Sequence, residues 1–544
     1  MDDSRPSASN RDSEAHTPDA FEQQSQRGWF TRFLDVVEYL GNLLPHPVTL
    51  FALFALGVVI VSGIAGWFDL SVADPRVEAG TADPDMDEEI GVVSLMNGEG
   101  LRMIVENLVE NFTGFVPLGT VLVALLGVGV AERSGLLSAV IRAVVLRAPD
   151  NLITVAVVFA GVISNTASEM GYVVLVPLAA VVFHALGRHP YAGLAAAFAG
   201  VSAGYSANLL IGTVDPLLSG LTEEAAQLID PEYSVHPAVN WYFMIVSTFL
   251  VTFIGWYVTA KIVEPKLGTY DDRYADHEAL EEASSDPLTE TEMRALLWAG
   301  ISVTVVSALL VLSIVPEGGM LRNPETGEVL DSPFLNGIVA LIFVFFLVPG
   351  FVYGWVSGSM RSDRDVVDGM AAAMSSMGLY IVLVFFAAQF VAFFGWTNLG
   401  QIFAVVGANT LQNIGLTGPL VFIPFILMCG LVNLSLGSAS AQWAVTAPIF
   451  VPMLMIVGYS PEVIQAAYRI GDSTTNIITP MMSYFGLILA FAARYNTRLG
   501  IGTLVSMMLP YSIFFLIGWI GLFYLWVFGL GLPVGPEAPT YYEF

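Results

Sequence analysis

Arg469 and Asp472 lie three residues apart in "YRIGDSTTNIITPMMSYFG" (468–486), within one of the most hydrophobic parts of the chain. A charge at membrane depth costs at least ~2.5 kcal/mol, so it should face a polar cavity and have partners. At this spacing the two share a helix face and can pair. Asp472 is followed by "STTN" and then by Pro480, which cannot continue a helix. That run supplies hydroxyl, amide and freed carbonyl oxygens, Thr475 and Asn476 among them. Hard oxygen donors around one carboxylate suit Na+, and Asp472 can equally carry a proton. Asn433, in the preceding apolar segment, is the natural donor to face them. Arg469 lies nearer its segment's end and can either meet a ligand or snorkel to the interface. Asp472 is deeper and has no such escape.

Two further stretches interrupt apolar runs with short polar residues: "ISNTASEMG" (163–171) and "NLSLGSASAQWAVTAP" (433–448). Read as hairpin tips that supply the substrate contacts, they present Ser164, Asn165, Thr166 and Ser168 on one side. On the other they present Ser435, Ser438, Ser440, Gln442 and Trp443. Helices starting there point positive ends into a cavity, where an anion is stabilised. Trp443 offers a face to a ring-bearing substrate or, in the commoner use, sits in an interfacial belt. Asp215, just before Pro216 and after Asn208, is either a site carboxylate or a helix cap. Glu169 is a gate or proton site, and His184 and His189 are structural. Pro448 and Pro461 fix turns and kinks.

The elements that hold these residues are membrane spans. Of 544 residues, 55% are hydrophobic and only 12% charged, roughly half the charged share of a soluble chain. The runs are apolar throughout rather than alternating, so they are helices and not barrel strands. Positive charges near the spans orient them. Arg27 and Arg32 place the N-terminus inside, and Arg133, Arg142, Arg147 and Arg188 bracket a re-entrant hairpin at 151–187. Spans are expected at 48–67, 113–132, 238–262, 293–315, 334–356, 374–396 and 501–528, with loops 68–102 and 397–417 outside. Broken helices are expected at about 191–222 and 461–491, and a second hairpin at 418–457. The fold class is an all-α polytopic membrane protein of about nine transmembrane helices plus two re-entrant hairpins. One integral domain (28–530) lies between a disordered acidic cytoplasmic tail (1–27), with no cleavable signal, and an extracellular C-terminal tail (531–544). The single cysteine, Cys429, permits no internal disulfide or cysteine metal cluster. A net charge of −28 argues against a nucleic-acid partner and would suit high salt.

The sequence also hints at an internal repeat. "TVDPLLS" (213–219) and "IITPMMS" (477–483) share a polar residue, Pro, two large apolar residues and Ser. Each follows an interrupted hairpin that carries Ala-Ser, at 167–168 and 439–440. Two such units entering from opposite faces are the mark of an inverted-repeat transporter with a midplane site.

Four long motifs then resemble one family. "RFLDVVEYLGNLLPHPVTLF" (32–51), "ISNTASEMGYVVLVPLAA" (163–180), "GSASAQWAVTAPIFVPML" (437–454) and "YRIGDSTTNIITPMMSYF" (468–485) are similar to the AbgT family of p-aminobenzoyl-glutamate transporters. The resemblance implies a homodimer of nine-span protomers with two hairpins in the cell membrane. It also implies a cation gradient, Na+ or H+, that moves p-aminobenzoyl-glutamate, with some members exporting antimetabolites. It places functional positions on Asp215, Ser440, Trp443, Pro461, Arg469, Asp472 and Pro480, with Asn433 and Asp472 at an Na+ site. Arg469 then receives a substrate carboxylate while Asp472 binds the ion; no cofactor is implied.

Within transport, the rival is a dicarboxylate or short-chain-acid carrier, separable by dependence on Trp443. Outside it, Asp215 and Asp472 suggest an intramembrane aspartyl protease, but neither stands in a Gly-x-Gly-Asp setting. No H-E-x-x-H zinc motif occurs, and no G-x-x-x-x-G-K-[ST] loop supports a nucleotide-driven pump.

Overall fold

The computed structural model describes residues 45–543, except 76, 78–88, 168–169, 272, 274, 276–286, 330–331 and 498. Ser168, Glu169, the tail 1–27, Arg27 and Arg32 therefore lie outside the described residues. In chain order the first half holds α1 (Pro47–Trp67), α2 (Gly98–Thr113), α3 (Val116–Ser134), α4 (Leu136–Leu146), α5 (Ile153–Ser164), α6 (Val176–Ala185), α7 (Pro190–Phe198) and α8 (Val214–Ala226). The rest comprises α9 (Trp241–Val258), α10 (Glu290–Ile314), α11 (Ile338–Ser357), α12 (Asp363–Ser376), α13 (Gly378–Trp396), α14 (Leu399–Asn413), α15 (Phe422–Leu436), α16 (Ala439–Val457), α17 (Pro461–Asn476), α18 (Phe485–Ala493) and α19 (Ile501–Phe523). Among the described residues the fold is helical, with one small antiparallel ribbon of β1 (Ser71–Ala73) and β2 (Glu89–Gly91).

Among the described residues, nine helices are long and apolar enough to cross a membrane. Seven match expected spans: α1, the α2–α3 stretch, α9, α10, α11, α13 and α19. The other two are α15, with the turn before it, and α16. These are the arms of the expected second hairpin, so the number agrees while its make-up differs. The expected spans 191–222 and 461–491 are both broken by non-helical turns. Two expected loops are partly helical: α2 occupies the end of 68–102, and α14 fills most of 397–417. α14 escaped the sequence because Asn and Gln interrupt its apolar stripe, and it packs on α16. The segment 531–543 does not trail away. Val534 O accepts from Phe243 N at 2.9 Å, and Tyr542 N donates to Gly458 O at 3.0 Å.

The main apolar core gathers α5–α9 with α15–α19. A separate cluster joins α3, α4, α10 and α11 at the periphery. α3 and α11 meet at Gly127, where any Cβ would lie 2.2 Å from Phe343 O. Such close backbone approach is how membrane helices gain packing contact. α10 exposes Leu297, Trp298, Val305, Leu309 and Leu312, as expected of a face turned to lipid or another subunit.

Candidate functional site

α17 carries polar residues at 462, 465, 469, 472, 473 and 476, one face of a helix with a 3.6-residue period, yet every residue of α17 is buried. It is enclosed by α8, α15, α16 and α19. Ser460 caps its start by accepting from Val463 N, and Pro461 stands at the first helical position, where no amide donor is needed. The helix ends at Asn476, before Pro480, and turns occupy 477–484. A residue preceding proline resists the helical conformation, so the break begins ahead of the ring.

Arg469 Nη2 donates to Asp215 Oδ1 at 2.7 Å, with the two side chains 2% and 1% exposed. Asp215 lies in the first turn of α8, and its Oδ2 accepts from Gly212 N at 2.6 Å. Arg469 and Asp472 share a helix face and could pair, but the hydrogen-bonded carboxylate of Arg469 comes from 254 residues earlier. An intrahelical pair would have left Asp215 buried without a cation, which is strongly unfavourable. Asp215 is not the cap of α8: Thr213 holds that position without a side-chain bond, and the carboxylate instead ties the turn before the helix through Gly212 N. Arg469 Nε and Nη1, Asp472 Oδ1 and Ser473 Oγ have no hydrogen-bond partner. A guanidinium fork with free N–H groups is shaped for a carboxylate.

Asn433 on α15 faces the end of α17. Its Nδ2 lies 2.8 Å from Asp472 O, 3.0 Å from Thr475 Oγ1 and 2.7 Å from Asn476 Oδ1. Two amide hydrogens thus meet three acceptors, while Asn433 Oδ1 is unpartnered. Half a turn about the last torsion would exchange Nδ2 for Oδ1 and bring a fourth oxygen beside those three. The donor set fits a hard monovalent cation, with the free oxygen of Asp472 on the same helix turn.

The turn between α15 and α16 is built by Gly437, at φ +59°, whose N–H closes on Asn433 O. Ser438 caps α16 and lies 3.3 Å from Ser440 Oγ, which is half-buried at the helix start. Trp443 is fully buried rather than placed in a belt. Its ring stacks on Tyr468 with centroids 4.2 Å apart, and its Nε1 donates to Thr222 Oγ1 at 2.9 Å. In the first hairpin, Ser164 Oγ donates to Gly161 O at 2.6 Å and Asn165 Nδ2 to Val201 O at 2.9 Å. Thr166 Oγ1 donates to Asn208 Oδ1 at 2.5 Å. The structure joins Arg469 to Asp215, Asn433 to the Asp472 carbonyl and Trp443 to Tyr468 of α17, whereas Ser164 and Asn165, expected to contact substrate, spend their polar groups on backbone carbonyls. His189 caps α7 through Nδ1, a structural role as expected.

The family profile described as "AbgT putative transporter family" matches residues 32–542. The chain belongs to the AbgT family. It is 37% identical over 500 residues to the p-aminobenzoyl-glutamate transport protein of Escherichia coli (strain K12), covering 92% of this chain and 95% of that one. Among solved structures it resembles Neisseria gonorrhoeae MtrF, reported within a class of antimetabolite efflux pumps. The TM-score is 0.87 and the identity 60%, over 93% of this chain and all of that one. Alcanivorax borkumensis YdaH, a transporter, gives 0.83 and 46% over 90% and 100% of the two chains. The AbgT chain is thus a multi-pass membrane transporter and not an enzyme, which removes the protease reading of Asp215 and Asp472.

Sequence reasoning passed over Gln465, Tyr468 and Thr222. The first two stand on α17 beside the residues it chose. Carrying the Arg469–Asp472–Asn476 stripe back by one turn reaches Gln465. Nothing local marks Thr222.

Proposed function

We propose that this AbgT chain is a secondary carrier of p-aminobenzoyl-glutamate or a related aromatic amidobenzoate, driven by an Na+ or H+ gradient. The observation that carries the reading is the buried Arg469, held to Asp215 by one nitrogen while two others stay free. A substrate carboxylate takes the free edge of the fork, and its ring lies against the Trp443–Tyr468 pair. The coupling ion sits between Asn433 and the Asp472–Asn476 turn; Thr475 and Asn476 complete its oxygen shell. Ser440 and the start of α16 add a favourable dipole for the anion. Pro461 and Pro480 bound the moving rod between Ser460 and the break. The hairpins at 151–187 and 418–457 enter the bilayer from opposite faces, with the N-terminus inside and the C-terminus outside. Two protomers associate in the plasma membrane.

Arg469 and Asp472 are closed off from solvent in this conformation, so turnover needs α17 or the hairpin tips to move. The test is uptake of labelled p-aminobenzoyl-glutamate into proteoliposomes under separately imposed Na+ and pH gradients, with Asp472→Ala alongside. Accumulation that follows one gradient and disappears in the variant supports the reading; uptake independent of both gradients refutes it. Chemical crosslinking in native membranes tests the dimer.

A further inference from the structure

A chain of hydrogen bonds runs from the backbone of α17 to the Trp443 ring. Asn240 Nδ2 donates to Glu462 O at 2.9 Å. Gln465 Nε2 donates to Asn240 Oδ1 at 2.9 Å, and Thr222 Oγ1 donates to Gln465 Oε1 at 2.6 Å. Trp443 Nε1 donates to Thr222 Oγ1 at 2.9 Å. Asn240, Gln465, Thr222 and Trp443 are all buried at 0–1% exposure.

One end of this chain, a carbonyl, can only accept, and the other, an indole N–H, can only donate. Every link between them is therefore forced. Asn240 must give its amide N–H to Glu462 O, which turns its oxygen to Gln465. Gln465 then presents its own oxygen to Thr222. The Thr222 hydroxyl must then spend its one proton on Gln465 Oε1 rather than on Leu218 O, 2.8 Å away, and its lone pair faces the indole. No member can turn over without leaving a buried group unpaired. The chain ties α8 to α16 and α17, and so joins the two halves of the molecule at the ring.

We propose that Asn240, Gln465 and Thr222 are positioning residues that lock the orientation of the Trp443 indole, and through it the recognition of a substrate ring. The proposal rests on the reading of Trp443 as the ring contact. With its N–H committed to Thr222 and one face against Tyr468, Trp443 offers only its remaining face and edges. Aromatic stacking depends on offset and tilt, so a ring free to rotate loses selectivity before it loses affinity for the anionic group.

The decisive variant is Thr222→Val, which keeps the shape and removes only the hydroxyl; Thr222→Ser restores it. Initial-rate uptake of p-aminobenzoyl-glutamate is expected to show KM raised about tenfold in Thr222→Val, with Vmax within about twofold. Thr222→Ser stays within about twofold of wild type. In a Trp443→Phe background, Thr222→Val adds no further rise, because the bond it removes is already gone. Gln465→Met gives the same pattern and replaces Thr222→Val should that variant not fold. A KM equal to wild type in the folded variants, or an undiminished effect in the Trp443→Phe background, overturns the proposal. A transport-independent readout is fluorine NMR of protein labelled with 5-fluorotryptophan, the Trp443 signal being the one missing in Trp443→Phe. Thr222→Val is expected to shift or broaden that signal while Thr222→Ser leaves it in place. If wild type moves no aromatic substrate but the signal responds, the carrier reading fails and the lock stands. An unresponsive signal sinks the lock itself.

Discussion

The two broken-helix units meet the same structural problem and leave it in opposite states. In the first, the hairpin tip after α5 closes on the break between α7 and α8. Ser164 and Asn165 bond to carbonyls, Thr166 bonds to Asn208, and Asp215 holds Gly212. Ser206 Oγ is that break's single buried side-chain atom without a partner among the described residues. In the second unit, Asn433 Oδ1, Gln442 Oε1, Arg469 Nε and Nη1, Asp472 Oδ1 and Ser473 Oγ all lack partners. A buried polar group left unmade costs about 1–3 kcal/mol, so a cluster of them is not tolerated for stability alone. The first unit is a satisfied scaffold, while the second has unpaired polar groups, a reserve which the proposed function assigns to ligands. The Arg469–Asp215 pair is where the scaffold reaches into the working half.

The largest effect that tests this division comes from that pair. Arg469→Ala leaves Asp215 buried without a cation, a loss of about 3–5 kcal/mol in stability. It also abolishes uptake, by at least about 100-fold. Arg469→Met combined with Asp215→Leu recovers most of the thermal stability, because apolar residues of similar volume replace buried ion pairs at little cost. The double variant is expected to remain inactive. Melting in detergent and uptake in proteoliposomes separate the two quantities; a double variant that transports shows the pair to be scaffold only.

A smaller effect separates the reserve from the scaffold directly. Asp472→Asn and Asn433→Leu are expected to remove the dependence of melting temperature on NaCl, since an ion bound to the native state raises it. Thr166→Val, in the satisfied unit, lowers melting by the equivalent of about 1 kcal/mol and keeps the NaCl response. If Thr166→Val also loses that response, the two units share the ion.

How much of this was legible follows from which forces act locally. The spans could be read because burial in lipid writes continuous apolar runs, and the breaks because Pro480 and the polar run before it are local signals. The turn between α15 and α16 could be found because Gly437 and Ser438 interrupt a single apolar stretch. The partner of Arg469 could not be read, because spacing reports only what one helix places on one face. Asp472 satisfied that test, and Asp215 belongs to a segment whose position only the fold decides. The same limit hid Thr222, an ordinary threonine until Trp443 and Gln465 converge on it. α14 and the docked segment 531–543 were missed for a third reason. Their stability comes from what they cover, such as the Val239 carbonyl against Gly535, rather than from their own periodicity.

The smallest contrast concerns the two glycines that let each hairpin tip meet a break. A Cβ on Gly437 would lie 2.9 Å from Met481 C and 3.0 Å from Met481 O, and its φ of +59° is one that side chains rarely adopt. A Cβ on Gly212 would lie 3.1 Å from Thr166 O and 3.2 Å from Asn165 O, with no positive φ. Gly437→Ala therefore meets both backbone strain and a tip pressed on a rigid turn, a cost of about 1–2 kcal/mol. Gly212→Ala meets only a tight contact that a few tenths of an ångström relieve, so its cost is expected below about 1 kcal/mol. Its break is also stiffened in the unfolded state, which offsets part of that loss. Melting temperatures in parallel detergent samples decide the order. Equal losses, or a larger one at Gly212, show that the first tip is the more tightly held of the two, and the assignment of scaffold and reserve then has to be redrawn.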